Sequence, residues 1–407
     1  MSWLIIADDL SGAADCAIGF AAHGARTVVT LDTPAAGSAL AEVVAHDVDS
    51  RRLSAPDAAA RNLDAWHHGR APGRRLYKKI DSTLRGNWAA ETAALQPLAG
   101  IAIVAPAFPA TGRTTHDGRM FVNDQPLEET DIWRVEGLTG QANMVAILTA
   151  HGLRTARISL PTVRAGAAAL RAQVEAWMAE GFQAVVCDAE VDSDLALLAA
   201  ATAELPAPAF WVGSGGLARA LAAAAPQGHA SLPAVSAPAC HRGPVLTLVG
   251  SMSGVSGKQA AYLCGKTGMA SLVLAPQVLR DGPHDAAWSA TQRELGAVLA
   301  AGRDLLVSIG RDDAFDPAEG PQLSTALAQL VLPYFALVGG LVATGGETAR
   351  AMLSAAGIGT LTLKREAEPG VPISETTDTP ARRVATKAGA FGTESALWLA
   401  WQAMRQD

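Results

Sequence analysis

Short apolar runs alternate with alanine-rich stretches along this chain, and the runs are continuous rather than strictly alternating. Continuous runs suit parallel strands covered on both faces; a half-exposed strand would alternate. The pattern predicts strands at 3–7, 27–31, 76–80, 101–105, 184–188 and 210–212. A second set follows at 245–250, 271–274, 305–309, 340–344 and 360–363. Helices are predicted between them, among them 14–23, 217–225, 348–356 and 393–404. The last carries Leu397, Ala400, Trp401 and Met404 on one face at helical spacing. Such alternation predicts an α/β fold of two domains, each an open, mostly parallel sheet flanked by helices. The stretch 226–243 holds Pro226, Pro233 and Pro238 among glycine, serine and alanine, without a period, and reads as a linker. The expected domains are residues 1–230 and 244–407.

Composition narrows the class. The 407 residues are 49% hydrophobic and 17% charged, too apolar for a disordered chain and enough to bury a core in each half. The formal net charge is -7. The densest basic spots, Arg74-Arg75 with Lys78-Lys79 and Arg382-Arg383, form no stripe, so a nucleic-acid partner is not expected. A membrane is not expected either. The start of the chain lacks the basic residues and long apolar run of a leader, and the apolar stretch 330–343 is broken by Pro333, Gly339 and Gly340. Cys16, Cys187, Cys240 and Cys264 make no CxxC and no zinc spacing with histidine, which points to reduced thiols and a cytoplasmic protein.

Ligands of open α/β sheets bind beyond the carboxyl ends of the strands, so the polar residues that follow each predicted strand carry the chemistry. After 3–7 come Asp8, Asp9, Leu10, Ser11 and Gly12. One aspartate suffices to cap a helix. Two in succession leave one to act as general base on a substrate hydroxyl or to bind magnesium, and the sequence leaves open which. Around the end of 76–80 stand Lys79, Asp81, Ser82, Arg85 and Asn87. Lys79 and Arg85 can clamp a carboxylate while Asp81 and Asn87 fix hydroxyls, a mixture suited to a polyhydroxy acid. After 101–105, Arg113 with Thr114 and Thr115 can contact an anion on a loop stiffened by Pro106 and Pro109. His116 reads as a surface residue. Gly213-Ser214-Gly215-Gly216 reads equally as hinge or phosphate site.

The C-terminal half offers three glycine-rich turns, at 250–254, 344–349 and 387–394. Glycine lets a ligand approach the backbone closely, and helix N-termini present free N–H groups to phosphates. Three such turns in one domain predict a nucleotide pocket. None contains GxxxxGK[ST], which excludes a P-loop, and none completes GxGxxG with a ribose-binding acid. An NAD(P)-dependent dehydrogenase of a small hydroxy acid, and a sugar-acid-binding regulator without turnover, remain as alternatives.

Taken in order, these pieces resemble the four-carbon acid sugar kinase family over nearly the whole chain. The first half carries Ala7-Asp8-Asp9-Leu10-Ser11-Gly12-Ala13 with Asp15, then Lys79-Ile80-Asp81-Ser82-Thr83-Leu84-Arg85-Gly86-Asn87. Pro106-Ala107-Phe108-Pro109 follows, with Gly112-Arg113-Thr114-Thr115 and Asp117-Gly118. The second half carries Gly250-Ser251-Met252-Ser253, Thr344-Gly345-Gly346-Glu347-Thr348-Ala349, Glu368-Pro369-Gly370-Val371-Pro372 and Lys387-Ala388-Gly389-Ala390-Phe391-Gly392. Ser11 stands where the family usually has Thr, and Glu347 where it often has Asp. Residues 129–141 depart from the Asp-Pro-rich stretch expected after the third motif. The resemblance implies ATP-dependent phosphorylation of the terminal (C4) hydroxyl of an acid such as threonate, erythronate or 3-oxo-tetronate. It implies that the first domain holds the small-molecule acid sugar and the second holds ATP, with Mg2+ bridging phosphate oxygens. The reading of the residues assigns Asp8, Asp9 and Asp81 to catalysis, and Lys79, Ser82, Arg85, Asn87 and Arg113 to the substrate. The resemblance carries the nucleotide contacts to Ser251, Ser253, Gly345, Gly346, Glu347, Thr348 and Gly389. A homodimer is left open as the assembly.

Overall fold

The computed structural model describes residues 2–31, 41–205, 208–225, 241–314, 316–389 and 391–406. The chain folds into two compact units, Met1–Thr27 with Ala36–His229, and Val28–Ala35 with Ala230–Asp407. Most of the expected linker, together with Cys240 and Ala390, lies outside the described residues.

Strands are numbered along the chain. β1 is Ser2–Ala7, β2 Thr27–Thr30, β3 Val43–Asp47, β4 Arg74–Lys79 and β5 Ile101–Ala105. β6 (Arg113–His116), β7 (Arg119–Val122) and β8 (Gln125–Pro126) form a small antiparallel sheet. β9 (Thr155–Ile158), β10 (Ala184–Cys187) and β11 (Ala209–Gly213) complete the first unit, to which β2, from Val28 on, does not belong. Its main sheet is parallel throughout, in the order β3-β1-β4-β11-β5-β10-β9. β5 and β10 are buried along their whole length, as runs covered by helices on both faces must be. Helix Gly215–Ala224 packs on both Leu10–Ala22 and Asp192–Thr202, and Ala55–Gly69 packs on Trp88–Ala99.

Two features of this topology make a site. The step from β1 to β3 crosses the sheet one way, and the steps from β3 to β4 and β5 cross it the other way. Right-handed crossovers then send the flanking helices to opposite faces, which opens a crevice at the carboxyl ends of β1 and β4. The register aligns Ala7 with both Asp47 and Lys79. The residues that follow β1, β3 and β4 therefore emerge side by side.

The second unit contains β12 (Val245–Val249), β13 (Ala270–Leu274), β14 (Leu305–Ile309), β15 (Gly340–Thr344), β16 (Thr360–Glu366), β17 (Pro372–Thr376) and β18 (Arg383–Lys387). The order is β13-β14-β12-β15-β18-β17-β16-β2, parallel from β13 to β18 and antiparallel beyond. Opposite crossings from β12 and from β14 place a second switch point at their carboxyl ends. The α/β class with mostly parallel sheets holds, and each predicted strand is present within a residue or two, except that 360–363 extends to Glu366. β3, β6 to β9, β17 and β18 went unpredicted. Cys16 and Cys187 are buried free thiols and Cys264 is half-buried. Among the described residues no helix is long and apolar enough to cross a membrane.

Candidate active site

Asp9 follows β1 as the N-cap of helix Leu10–Ala22, and its Oδ1 accepts from the Gly12 amide at 3.1 Å. Asp8 is buried beside it. Both carboxylates share one guanidinium. Arg51, in the turn after β3, donates from Nε to Asp8 Oδ2 at 2.6 Å and from Nη1 to Asp9 Oδ2 at 3.2 Å. Its Nη2 lies 2.9 Å from Asp9 Oδ1. The Lys79 ammonium lies 3.5 Å from Asp8 Oδ1 and 3.6 Å from Asp9 Oδ1. Burial alone would push the Asp8 carboxyl up, but Arg51 and Lys79 outweigh it and hold Asp8 well below the usual carboxylate range. Burial likewise opposes the charge on Lys79, and the two aspartates more than restore it. Gly12 has no room for a side chain, since a Cβ would fall 2.5 Å from Asp9 Oδ1 and onto the Lys79 ammonium.

Arg51 is the residue that the sequence reading missed. The signal lay in Val43-Val44-Ala45, a short apolar run that leads into Asp47, Asp49, Ser50 and Arg51.

The second predicted cluster stands at the next strand end, but several of its groups are spent on local structure. Asp81 accepts the Thr83 amide at 2.9 Å, the Thr83 hydroxyl at 3.0 Å, and Arg85 Nε. Burial would raise its carboxyl; Arg85, then Arg51 and Lys79, hold it well below its ordinary value. These bonds shape a turn in which buried Leu84 adopts φ 56°. Arg85 Nη1 also comes within 3.7 Å of Glu136 Oε1, so the divergent 129–141 segment brings a carboxylate to this edge. Asn87 donates to the carbonyls of Leu53 at 2.8 Å and Ser50 at 3.4 Å, and thereby holds the turn that carries Arg51. Ser82 is buried. Arg113 is half-buried and feels the charges of Asp81 and Arg85. His116 is exposed, 3.4 Å from Asp117 and 3.3 Å from Glu190. The Gly213–Gly216 run serves packing. The Tyr77 hydroxyl donates to the Ser214 carbonyl at 2.5 Å, and a Cβ on Gly216 would strike the Ala107 carbonyl at 2.5 Å.

In the second unit the three glycine turns converge. Ser253 caps helix Gly254–Thr267, accepting from the Ser256 amide at 3.1 Å. The Ser253 and Ser256 hydroxyls donate to the Gly389 carbonyl at 3.0 and 2.7 Å, and the Ser251 hydroxyl donates to Ser253 at 3.2 Å. Lys387, buried at the end of β18, donates to the carbonyls of Ala388, Gly389 and Phe391 at 2.8, 3.0 and 2.9 Å. The Gly345 amide donates to the Lys387 carbonyl at 2.8 Å. Gly345, at φ 100°, opens helix Gly346–Ala355, whose first turn contains Glu347. A Cβ on Gly250 would overlap Thr348, and one on Gly389 would overlap Ser251. The Thr348 hydroxyl in this first helical turn pairs with Ser324 at 3.1 Å. A 520 Å³ cavity lies at the β12/β14 switch point, lined by Ser251, Ser253, Gly257, Ala261, Ser308 and Arg311 among others.

Two family models match the chain, a sugar-binding N-terminal domain over residues 3–221 and a nucleotide-binding C-terminal domain over residues 246–397. The chain is 68% identical to a D-threonate kinase of Cupriavidus necator, over 100% of this chain and 99% of that one. It is 32% identical to a 3-oxo-tetronate kinase of Burkholderia multivorans, over 95% of this chain and 94% of that one. Its fold is that of a solved Haemophilus influenzae protein, with a TM-score of 0.75 at 23% identity over 98% and 100% of the two chains.

Proposed function

The chain belongs to the four-carbon acid sugar kinase family, and from that premise we propose that it transfers the γ-phosphoryl group of ATP to the C4 hydroxyl of D-threonate. It is a phosphotransferase acting on an acid sugar. The choice of D-threonate over 3-oxo-tetronate follows the relative at 68% identity over the relative at 32%. The observation that carries the reading is the crevice at β1 and β4, where Arg51 and Lys79 set two cations against Asp8 and Asp9.

The chain's own residues divide the work as phosphoryl transfer requires, into positioning and charge stabilisation. Asp9 keeps 20% of its side chain accessible and Asp8 only 3%. Asp9 is accordingly the group that takes the hydroxyl proton, while Asp8 stays ionised and keeps Lys79 and Arg51 in place. Arg85 and Arg113 add positive charge for the substrate carboxylate. The Gly250 and Gly389 turns pack tightly on Thr348 and Ser251 and so bring the three glycine turns together, and the first turn of Gly346–Ala355 offers a polyphosphate N–H donors. Bound ATP would supply the phosphoryl group, and a Mg2+ ion bound with it would neutralise charge on its phosphates. Among the described residues no three His, Cys, Asp or Glu side chains form a cage for that ion.

ADP release measured over a panel of D-threonate, L-threonate, D-erythronate and 3-oxo-tetronate tests the proposal. D-threonate should give the highest kcat/KM by about tenfold or more, with phosphorus NMR placing the phosphate on C4. Equal turnover of the whole panel, or ADP release from none of it, sinks the assignment.

A further inference from the structure

We propose that Ser50, anchored by the buried pair Lys78–Glu91, is a positioning residue that sets Arg51 for binding of the acid sugar; this rests on reading the Asp8–Asp9–Arg51–Lys79 cluster as the acid-sugar site. Successive residues of a strand face opposite sides of the sheet. On β4, Lys79 joins the site while Lys78 turns into the core, wholly buried, with Nζ 2.8 Å from Glu91 Oε2. Glu91 projects from helix Trp88–Ala99 and is itself buried. Desolvating two charges is costly, and an apolar pair would hold a strand to a helix at least as well. This pair has a third partner. The other Glu91 oxygen accepts the hydroxyl of Ser50 at 2.5 Å, and Ser50 is fully buried.

The backbone of the same turn is fixed from both flanks. The Ser50 amide donates to the Asp8 carbonyl at 3.2 Å, and Asn87, the cap of the Glu91 helix, holds the carbonyls of Ser50 and Leu53. Arg51 is the next residue. Its fork matches two carboxylates at once only if the base of a long, rotamer-rich side chain is held still. The chain of contacts therefore runs from the core outward, Lys78 to Glu91 to Ser50, then through Arg51 to Asp8 and Asp9.

Calorimetric titration of the intact protein with D-threonate, and separately with ATP, tests this. Ser50→Ala should raise the D-threonate Kd by about tenfold and leave the ATP Kd within about twofold. In an Arg51→Ala background the same change should add nothing, since a residue that acts through another is silent once the other is gone. Equal weakening of both ligands, or additive losses of D-threonate affinity, overturns the positioning role. Should Arg51→Ala alone leave D-threonate binding untouched, the reading of the cluster as the acid-sugar site fails instead. If Ser50→Ala does not fold, Asn87→Ala loosens the same turn through its backbone, and the same outcomes apply.

Discussion

His46 on β3 shows what burial does to a single side chain here. It is almost inaccessible, and burial, aided by the charges of Arg74 and His68, pulls its imidazole down to about 4. An unfolded histidine titrates near 6.5. The folded value lies below the unfolded one, so the unfolded chain binds the extra proton as the pH falls. The stability tied to neutral His46 is fully present above about pH 6.5 and is lost towards pH 4, to an extent of about 3 kcal/mol. Urea midpoints at pH 7 and pH 4.5 should accordingly fall further apart in the native protein than in His46→Gln; equal separations would exonerate the imidazole. The acids of the site act in the same sense at lower pH: against their burial, Asp8 and Asp81 are held well below the usual carboxylate range by Arg51, Lys79 and Arg85, so the stability tied to their charge is also lost as the pH falls. At this scale the sequence announced Asp8, Asp9 and Lys79 through their place at a strand end. Arg51 was illegible because the register of β1 on β3 brings it to the aspartates, and no local pattern encodes that register. Asp81 and Asn87 read as substrate ligands from their type alone; in the structure Asp81 also accepts from Thr83 and Arg85, and the Asn87 amide nitrogen also holds the turn that carries Arg51.

Strands were legible where they are uniformly apolar. β5, β14 and β15 fall on their predicted residues because a short apolar run bounded by turn residues suits a doubly covered strand. β18 was hidden by Arg383, Thr386 and Lys387, polar in type, of which the last two are buried in fact. Three backbone carbonyls satisfy Lys387, a tertiary arrangement that composition does not disclose. The glycine turns were legible as turns, and their convergence came from the sheet order. They also permit a crossed experiment. A Cβ on Gly250 meets the buried Thr348 side chain, and one on Gly12 meets Lys79 and Asp9. Gly250→Ala should therefore raise the KM for ATP by about tenfold or more with little change for the acid sugar, and Gly12→Ala should do the reverse. Steady-state kinetics with each substrate varied in turn would show it. If both variants affect both substrates alike, the assignment of one ligand to each set of turns is lost.

Over the whole molecule, the division of labour does not follow the order of residues. β2 comes early in the chain, yet its partner is β16, antiparallel, with Val29 opposite Leu361 and Thr30 opposite Thr360. Val28 opens the segment that the chain lends to the second unit. A fragment of residues 241–407 would lack it and would leave the β16 edge unpaired, with Leu361 and Leu363, buried in the full chain, beside it. Such a fragment should aggregate, as sedimentation would report; a soluble monomer that binds ATP would contradict the role given to β2. The loan of one early strand was not legible, because a short apolar run carries no mark of the sheet it will join. The same loan governs recombination. A hybrid spliced once between the two halves of related genes would seat one parent's β2 against the other parent's β16, so productive crossovers must come in sets that move this strand together with the later half.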